Sequence, residues 1–520
     1  MRKIHSIFKA LVIFCSLAVC LGLTAPAVSS SSSYWPTGGW RTSTPEEQGM
    51  DSAVLAKAVD FLQEKKEDFN VHSILIIRNG YMVMDAYFYP FTQGSLHDLA
   101  YVTKSFTSTL IGVAINEGYV ASVDEPVLEF FPERTIANVD ANKEGMTLED
   151  LLTMRSGFEC TNRPTEVTLF QMMGSPDWIQ FTLDLPMVET PGTQWVYCSP
   201  NPHLLSGIIR EVSGMSALEF AEEHLFSPLG ISGVDWTYGP GGNNMGWGDI
   251  RMTPHDMAKL GYLYLHEGSW DGEQVLPPTW VAAATGSAVS LPPGFPMVDY
   301  YGYLWYLNSS ESYYLADGRG GQRILVLPDQ DMIVVTTGGG GRNQYGVLET
   351  LLTSYIIPAA ESGAPLAPNP DAAALLGSKV QQVAEPLTER RSPPPLPEIA
   401  QRVSGKRYVL DANPFGLASL SLTFEEEDQA LLNIAFMDGS QVDWPVGLDN
   451  VFRMSPGRHG LPSAINGSWE SDDTFVIHLD EIGNINQFRI RSTFEDEGVT
   501  IEMQEMTGLG GATFGGKVEE

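Results

Sequence analysis

Two strand-rich segments lie far apart in the chain and frame a long stretch with helical patterning. Residues 72–91, "HSILIIRNGYMVMDAYFYPF", hold two β-rich runs around Asn79-Gly80, the commonest turn signal of a β-hairpin. Residues 322–339, "QRILVLPDQDMIVVTTGG", again show a strand, a turn and a strand. Residues 120–310 are mostly helix and loop in pattern. The sequence therefore predicts an α+β fold, in which N- and C-terminal segments close one antiparallel sheet beside a helical insertion.

Three helices are predicted from apolar spacing and from end signals. In residues 100–120, "AYVTKSFTSTLIGVAINEGYV", apolar residues recur at intervals of three and four before Gly118 ends the helix. Residues 147–154 and 253–268 each begin with a threonine at the N-cap position, followed by acidic residues in the first turn.

The C-terminal part of the chain has a different pattern. A Pro-rich break at 389–398, "ERRSPPPLPE", precedes it, and apolar and polar residues then alternate strictly within short segments of residues 405–505. Such strands predict a small antiparallel barrel or sandwich. We find no catalytic constellation within it, so we interpret it as an accessory packing or binding domain. The clearest strands are "LSLTF" (420–424), "FVIHL" (475–479), "FRIRSTF" (488–494) and "VTIEM" (499–503).

The N-terminus has the pattern of an export signal. Three basic residues precede the apolar run "LVIFCSLAVCLGL" (11–23), and "APA" (25–27) follows. The run is too short for a comfortable membrane span of about 20 residues, and no later stretch is apolar enough to span a membrane. We therefore expect cleavage and export to the periplasm or the extracellular space. A lipoprotein modified at Cys20 is the alternative, although Val19 is bulky where a small residue is expected.

These patterns divide the chain into four predicted parts. They are an export signal (1–27), an α+β domain (28–375), a Pro-rich linker (376–400) and a C-terminal β domain (401–520).

Charge and motif content exclude several classes of function. The formal net charge is −34, so we expect no nucleic-acid partner and no attraction to anionic lipid. The nine histidines are scattered without a metal-ligand pattern, so no metal is expected. The Gly-rich segments 337–341 and 508–516 lack a following Lys-Ser/Thr, which argues against phosphate cradles. No cofactor is predicted, and the sequence leaves the oligomeric state open.

Only two cysteines remain after the predicted signal, namely Cys160 and Cys198. In an oxidising compartment an even pair predicts a disulfide. Two buried thiols are the alternative.

The segment "YVTK" (101–104) places a hydroxyl three residues before a lysine at the start of a predicted helix. A hydroxyl becomes a nucleophile when a base removes its proton, and a buried lysine with a lowered pKa can be that base. Residues i and i+3 share a helix face, and free N–H groups at the helix start favour an oxyanion. Lysines near helix starts are usually exposed, so this tetrapeptide needs support from elsewhere in the chain.

Two later segments supply that support. In "WVYCSPNPHLLSGII" (195–209), Tyr197 and Ser199 precede a helix, and a phenol beside a lysine can relay a proton. In "DGRGGQRILVLP" (317–328), glycines at a sheet edge let a substrate pair with the backbone. A core tyrosine with a capping serine, and a plain turn, are the ordinary alternatives. The predicted substrate-binding or oxyanion residues are Ser199, Arg319, Gly320, Gly321 and Gln322.

Residues of about 40–360 resemble the serine β-lactamase and penicillin-binding-protein superfamily, in particular family VIII esterases and nylon-oligomer hydrolases. The resemblance rests on "VTKSFTSTLIGVAINEG" (102–118), "LEDLLTMRSGF" (148–158), "VYCSPNPHLLSGIIREVSG" (196–214), "RMTPHDMAKLGYLYLHEGSWDGEQVLPPTWV" (251–281) and "GRGGQRILVLPDQDMIVV" (318–335). It implies that Lys104 is the base and that Tyr197 assists proton transfer, with Ser199 beside it and Arg319-Gly320-Gly321 lining the site. The acylated serine of such enzymes falls on Tyr101.

Three accounts of Tyr101 are open at this stage. The site can be silent, with a phenol filling the acyl pocket. Tyr101 can be the nucleophile, since a phenol has a pKa of about 10, although its oxygen lies further out than that of a serine. Ser105 can substitute, although adjacent helix residues do not face each other. We therefore expect an exported hydrolase of a small or peptide-like ester or amide, acting through an acyl-enzyme. The alternative is an inactive binding or scaffold protein that keeps the pocket.

Overall fold

The computed structural model describes residues 34–66, 68–162, 166–341, 343–360, 362–386, 393, 395–424, 427–458, 461–495 and 497–519. The predicted export signal, with Cys20, lies outside these residues. Within the described residues, none of the helices combines the length and the apolar character that crossing a membrane requires.

The strands before residue 340 fall into one large sheet and two small ones. In chain order they are β1 (Arg41–Thr42), β2 (Val71–Arg78), β3 (Tyr81–Tyr87), β4 (His97–Asp98), β5 (Asp235–Trp236), β6 (Ile250–Met252), β7 (Ser269–Trp270), β8 (Glu273–Gln274), β9 (Val289–Ser290), β10 (Tyr300–Tyr301), β11 (Tyr306–Asn308), β12 (Tyr313–Gly318), β13 (Gln322–Leu327) and β14 (Met332–Gly338).

The large sheet joins the two ends of this domain. Its strand order is β1-β3-β2-β14-β13-β12-β11-β10-β9, and its pairs are antiparallel except β1 with β3. The predicted hairpin turns at Asn79-Gly80, between β2 and β3. The N-terminal β2 lies beside the C-terminal β14, with Ile76 opposite Val334. The predicted antiparallel sheet closed by both ends of the domain is therefore confirmed.

The helices include the three that the sequence predicted, at 103–116, 148–152 and 254–265. In chain order they are α1 (Ser52–Glu64), α2 (Thr103–Asn116), α3 (Ala141–Gly145), α4 (Leu148–Leu152), α5 (Val167–Met173), α6 (Trp178–Leu183), α7 (Pro200–Ser213), α8 (Ala217–Ala221), α9 (Ser227–Leu229), α10 (Pro254–Leu265), α11 (Pro278–Ala284), α12 (Gln344–Leu351), α13 (Ile357–Ala359), α14 (Pro370–Val383) and α15 (Glu398–Val403).

Helices cover both faces of the large sheet. Leu75 and Ile77 of β2 belong to the core formed with α2, α7 and α10 of the helical insertion. Ile74 and Ile76 belong to a second core, with α1, α12 and α14. All eight residues of β2 are buried, because helices cover both faces of the strand. A strand in this position carries apolar residues in succession, as at 74–77, instead of alternating apolar and polar ones.

The C-terminal domain has ten strands, nine of which close into a barrel, and this closure decides between the predicted barrel and sandwich. Neighbouring strands pair antiparallel from β15 to β18 and from β19 to β24, β24 pairs with β15, and β18 closes the ring on β20 through Gly447 and Asn466. Alternate apolar side chains fill the interior. The strands are β15 (Arg407–Leu410), β16 (Leu417–Thr423), β17 (Gln429–Phe436), β18 (Gln441–Gly447), β19 (Arg453–Arg458), β20 (Leu461–Trp469), β21 (Thr474–Glu481), β22 (Gln487–Phe494), β23 (Gly498–Glu505) and β24 (Gly510–Val518).

The predicted linker range, 376–400, overlaps α14, whose Leu376 and Val383 are buried with α1. Part of the Pro-rich segment lies outside the described residues. The bounds of the four predicted parts stay predictions.

Candidate active site

Tyr101 lies in a 3₁₀ turn, Ala100–Val102, that leads from β4 into α2. Ala100 has a φ of 46°, in the left-handed region that costs a non-glycine residue about 1–3 kcal/mol. The Asp98 carboxylate compensates by accepting a hydrogen bond of 2.8 Å from the Ala100 amide. Burial raises the pKa of Asp98 to about 6, and the charge of Asp249 acts in the same direction. The turn is thus held in a strained geometry at the start of the helix.

Lys104 is buried beneath two phenol rings. Lys104 is only 2% exposed, and its Nζ donates a hydrogen bond of 3.0 Å to the Trp247 carbonyl. Nζ lies 3.7 Å from the ring centre of Tyr101 and 5.0 Å from that of Tyr197. Burial lowers the pKa of Lys104 to about 7, although the negative charge of Glu166 opposes the shift. The charged form of Lys104 is therefore less favoured than that of an exposed lysine.

The hydroxyl of Tyr101 is not bonded to Lys104. The ammonium faces the ring of Tyr101, and no hydrogen bond joins the two side chains in the described part of the chain. Burial and the neighbouring Glu166 carboxylate raise the pKa of Tyr101. This environment therefore disfavours the phenolate form of Tyr101. The ring packs against Leu169, Met172, Trp178 and Trp247.

Tyr197 lies opposite Tyr101, with ring centres 6.0 Å apart. Burial raises the pKa of Tyr197. Its carbonyl accepts a hydrogen bond of 2.7 Å from Asn162. The predicted disulfide between Cys160 and Cys198 is present, with Cα atoms 5.8 Å apart, and it links the segments that carry Asn162 and Tyr197.

Ser199 occupies a different place from Tyr197. It lies at the start of α7, is fully buried, and is not among the cleft-lining residues. Its Oγ has no hydrogen-bond partner among the described residues. Ser105 is likewise not among the cleft-lining residues, and its Oγ donates a bond of 2.7 Å to the Leu304 carbonyl.

Of the four residues predicted at the Gly-rich edge, one lines the cleft and three do not. Arg319 lines the cleft, whereas Gly320, Gly321 and Gln322 lie in the turn between β12 and β13 and in β13 itself. Gly320 accepts a hydrogen bond of 2.8 Å from Gly340, and Gln322 is fully buried and donates to the Gly338 carbonyl. Their roles as substrate-binding residues stay predictions.

On the side away from β13, β12 loses its partner strand before it ends beside Arg319. β12 pairs with β11 as far as Leu315, so Ala316 to Gly318 have no partner from β11. A Cβ added to Gly318 would lie 2.6 Å from the Leu99 carbonyl oxygen and 3.2 Å from the Tyr101 amide nitrogen. The end of β12 therefore packs directly on the backbone of the Tyr101 turn.

These groups line one cleft of about 610 Å³. The structure thus brings together Tyr101, Tyr197 and Arg319, with Lys104 beneath the two rings. A larger depression of about 1190 Å³ lies on the barrel and contains none of these residues. The cleft volume is within the range of small-molecule sites.

Sequence analysis missed two carboxylates of the cleft, Glu166 and Asp317. Glu166 immediately precedes α5, and nothing in its surrounding motif marks it as different from an ordinary helix-start residue. Asp317 is paired with Arg323 at 2.6 Å and accepts a hydrogen bond of 3.1 Å from Tyr345. Only the folded chain shows that the Glu166 carboxylate acts on Tyr101 and Lys104 together.

Comparison with known proteins identifies the family to which this fold belongs. The Beta-lactamase family model matches residues 58–345. The 6-aminohexanoate-dimer hydrolase of Paenarthrobacter ureafaciens is 24% identical over 309 residues, which are 56% of this chain and 78% of that protein. Two solved structures share the fold with TM-scores of 0.50. One is a Bacillus anthracis protein assigned as a 6-aminohexanoate-dimer hydrolase (19% identical, 57% of this chain and 81% of that chain). The other is a Bacteroides dorei protein assigned as a β-lactamase (17% identical, 60% and 100%).

The family match spans more than half of the 520 residues and includes the turn, the lysine and the sheet edge described above. The chain therefore belongs to the β-lactamase family of serine hydrolases.

Proposed function

We propose that this cleft binds a small ester or amide and that Tyr101 blocks the acyl-enzyme route, so that the protein acts chiefly as a binding member of its family. The observation that carries the proposal is the position of Lys104, whose Nζ meets the face of the Tyr101 ring at 3.7 Å. Nucleophilic catalysis requires the nucleophile and its base within hydrogen-bond reach. A lysine that faces the ring does not take the hydroxyl proton.

The electrostatics of the site support the same conclusion. Burial and the Glu166 carboxylate both raise the pKa of Tyr101, so both oppose formation of the nucleophilic phenolate. The phenol oxygen also lies further from the helix start than a serine oxygen would. A displacement of about 1 Å in a reacting group already costs roughly 100-fold in rate.

The cleft retains the features of a ligand site. Aromatic side chains, among them Trp195 and Phe295, line its walls, and Arg319 supplies a cation. Sites of this kind combine apolar walls with a few polar groups that fix the orientation of the ligand. We assign Arg319 to a carbonyl or carboxylate oxygen of the ligand. The relative named 6-aminohexanoate-dimer hydrolase acts, by its name, on a dimer of an amino acid, and the link between two amino acids is an amide, which supports an amide or ester as the ligand class here.

Active-site labelling tests the proposal. The mature protein is incubated with a fluorophosphonate and, separately, with a penicillin, and adducts are mapped by mass spectrometry. We expect no adduct on the wild type and a robust adduct on the Tyr101→Ser variant, where the hydroxyl regains the position that Lys104 can serve. The same variant should hydrolyse short p-nitrophenyl esters about 100-fold faster than the wild type. Tyr101→Phe is the control, since it keeps the ring and removes the oxygen. Equal or slower turnover by Tyr101→Ser would contradict the proposal.

One observation favours a second candidate function, slow hydrolysis through an acyl-tyrosine. The pKa of Lys104 is lowered to about 7 by burial, which suits a proton-transfer group, and the Glu166 carboxylate lies beside the phenol. An aryl ester formed on Tyr101 would itself be activated towards water. A wild-type adduct on Tyr101 that Tyr101→Phe lacks would establish this candidate and overturn the first.

We also propose that the protein is exported after removal of an N-terminal signal. The Cys160–Cys198 disulfide supports this proposal, because disulfides persist in oxidising compartments. The mass of protein secreted into the periplasm or medium tests it. A chain that begins near residue 28 is expected, whereas a retained N-terminus on the purified protein would refute the proposal.

A further inference from the structure

Arg319 extends from the cleft to the barrel. Its Nη1 donates to Oγ1 of Thr507, and its Nη2 donates a hydrogen bond of 3.0 Å to Oδ1 of Asn486. Nη1 also lies 3.9 Å from Oε1 of Glu505. All three partners belong to the C-terminal barrel, to which the sequence assigned no part of the site.

The barrel side of this contact is well ordered by its own hydrogen bonds. Glu505 is only 2% exposed and accepts bonds of 2.5 Å from Thr507 and 2.8 Å from the Leu509 amide. A buried carboxylate needs a cation or several donors nearby, because burial removes the stabilisation by water. Asn486 is held in turn by a bond of 3.2 Å to Glu481. Arg319 is therefore held by groups that hydrogen bonds within the barrel fix in place.

The loop that carries Arg319 packs against both the barrel and the backbone of Tyr101. A Cβ on Gly320 would lie 2.6 Å from Ile485 of the barrel, so this barrel turn packs on the loop that carries Arg319. The same loop begins at Gly318, which packs against the backbone of Leu99 and Tyr101. Packed contacts therefore run from the barrel through the β12–β13 turn to the mouth of the cleft.

We infer that Asn486, Glu505 and Thr507 are positioning residues, through which the barrel sets the orientation of Arg319 for an oxygen-bearing ligand. The inference rests on the proposed ligand-binding function of the cleft, but its mechanical part stands on the contacts alone. Four of the five N–H groups of a guanidinium belong to its two terminal nitrogens, and each terminal nitrogen here uses a bond to the barrel. The other N–H groups are directed by that anchoring, and a ligand carboxylate or carbonyl is their target.

Hydrogen exchange tests the mechanical part without any ligand or activity. Thr507→Val and Asn486→Leu remove hydrogen bonds to Arg319 without a change of charge, whereas a change at Glu505 would alter the charge of the site as well. We expect amide exchange in residues 318–322 to increase about tenfold in each variant, because a hydrogen bond to a charged group is lost. Thr507→Ser should restore the wild-type rate. Unchanged exchange in residues 318–322 would overturn the inference.

A matched barrel variant controls for general loosening. Thr493→Val removes a comparable hydroxyl, which bonds to Thr474 at 3.1 Å and makes no contact with Arg319. Its exchange in residues 318–322 should equal that of the wild type. An increase as large as that of Thr507→Val would show a general loss of barrel stability and would also overturn the inference.

Ligand discrimination tests the positioning role. Binding of 4-phenylbutyrate and of its neutral analogue 4-phenylbutyramide is measured by calorimetry. Thr507→Val should weaken phenylbutyrate binding about tenfold and affect the amide less, since the misplaced cation matters most for an anion. An equal effect on both probes, or no effect, would reduce the barrel contact to a structural one and overturn the positioning role. If the wild type binds neither probe, the proposed ligand class is wrong, and the exchange experiment alone decides the inference.

Discussion

At the scale of single residues, the buried environment of Lys104 sets the protonation of its amine. The side chain is enclosed by the rings of Tyr101 and Tyr197 and makes its hydrogen bond to a carbonyl. Water is excluded, so the charged form loses solvation and the pKa of Lys104 falls to about 7. The lysine predicted to be the base therefore loses its proton more readily than an exposed lysine, while burial disfavours ionisation of the phenol predicted to be its partner.

The lowered pKa of Lys104 predicts a pH-dependent cost in stability. In the unfolded chain the Lys104 amine has a pKa of about 10.4, so it stays protonated between about pH 7 and pH 10. In the folded chain its pKa is about 7, so the amine has lost its proton in the same range. The unfolded state therefore binds more protons in this window, and stability rises with pH. Relative to Lys104→Met, the wild type should gain up to about 1.4 kcal/mol of unfolding free energy per pH unit. Urea unfolding at pH 6.5 and pH 9 measures this gain.

The control for this prediction is Lys57→Met, which removes an exposed lysine from α1. Its difference from the wild type should stay the same at both pH values. If Lys104→Met also shows a constant difference, Lys104 does not change its protonation between pH 7 and pH 10, and the prediction fails.

At the scale of elements, the glycines in the turn between β12 and β13 have a structural role that differs from the substrate-binding role predicted from their motif. The sequence indicates that its glycines admit a substrate. In the structure Gly320 and Gly321 have φ values of 80° and 101°, and a Cβ on Gly321 would lie 2.3 Å from Phe69. These glycines are therefore required by backbone conformation and by close packing, whatever they contribute to binding.

This geometry predicts that Gly321→Ala destabilises the protein. The alanine would meet both a left-handed backbone and the ring of Phe69, so we expect a loss of about 2 kcal/mol or more in unfolding free energy. Gly346→Ala is the matched control, because Gly346 lies exposed in α12 with open space around its Cβ position. That change should raise stability by about 0.5–1 kcal/mol, since alanine is the better helix former. Thermal unfolding of both variants measures the difference, and a neutral Gly321→Ala would contradict it.

At the scale of the whole molecule, the excess of acidic residues is the dominant feature. The chain has 64 acidic and 30 basic residues, which give the net charge of −34. Some basic residues are committed to contacts between segments, as Arg319 is to the barrel and Arg323 to Asp317. Mutual repulsion of the remaining charges keeps such a protein soluble but opposes its compact state.

This imbalance predicts that salt stabilises the protein. Raising NaCl from 0.02 to 0.3 M shortens the Debye length from roughly 20 Å to below 10 Å and screens the repulsion between surface carboxylates. The midpoint of thermal unfolding should therefore rise by several degrees. Sucrose at equal osmolality is the control for excluded-solute effects, and its increase should be smaller. A midpoint that falls with NaCl would mean that attractive pairs outweigh the repulsion.

The sequence by itself determined the elements and the family. Hairpin turns, helix caps and alternating strands are local signals, so the Asn79-Gly80 hairpin and the strands of the barrel domain were predicted with nearly correct bounds. The Cys160–Cys198 pairing followed because only two cysteines remain after the predicted signal.

Tertiary structure alone decided how the site residues meet. The sequence indicates that Tyr101 and Lys104 are neighbours. In the structure, Nζ of Lys104 faces the Tyr101 ring and not its hydroxyl, and it bonds to the carbonyl of Trp247, which lies far along the chain. No sequence motif marks Glu166 or the barrel residues that hold Arg319. A pKa, a buried charge and a contact between domains arise from distances between remote residues, and those distances exist only in the folded chain.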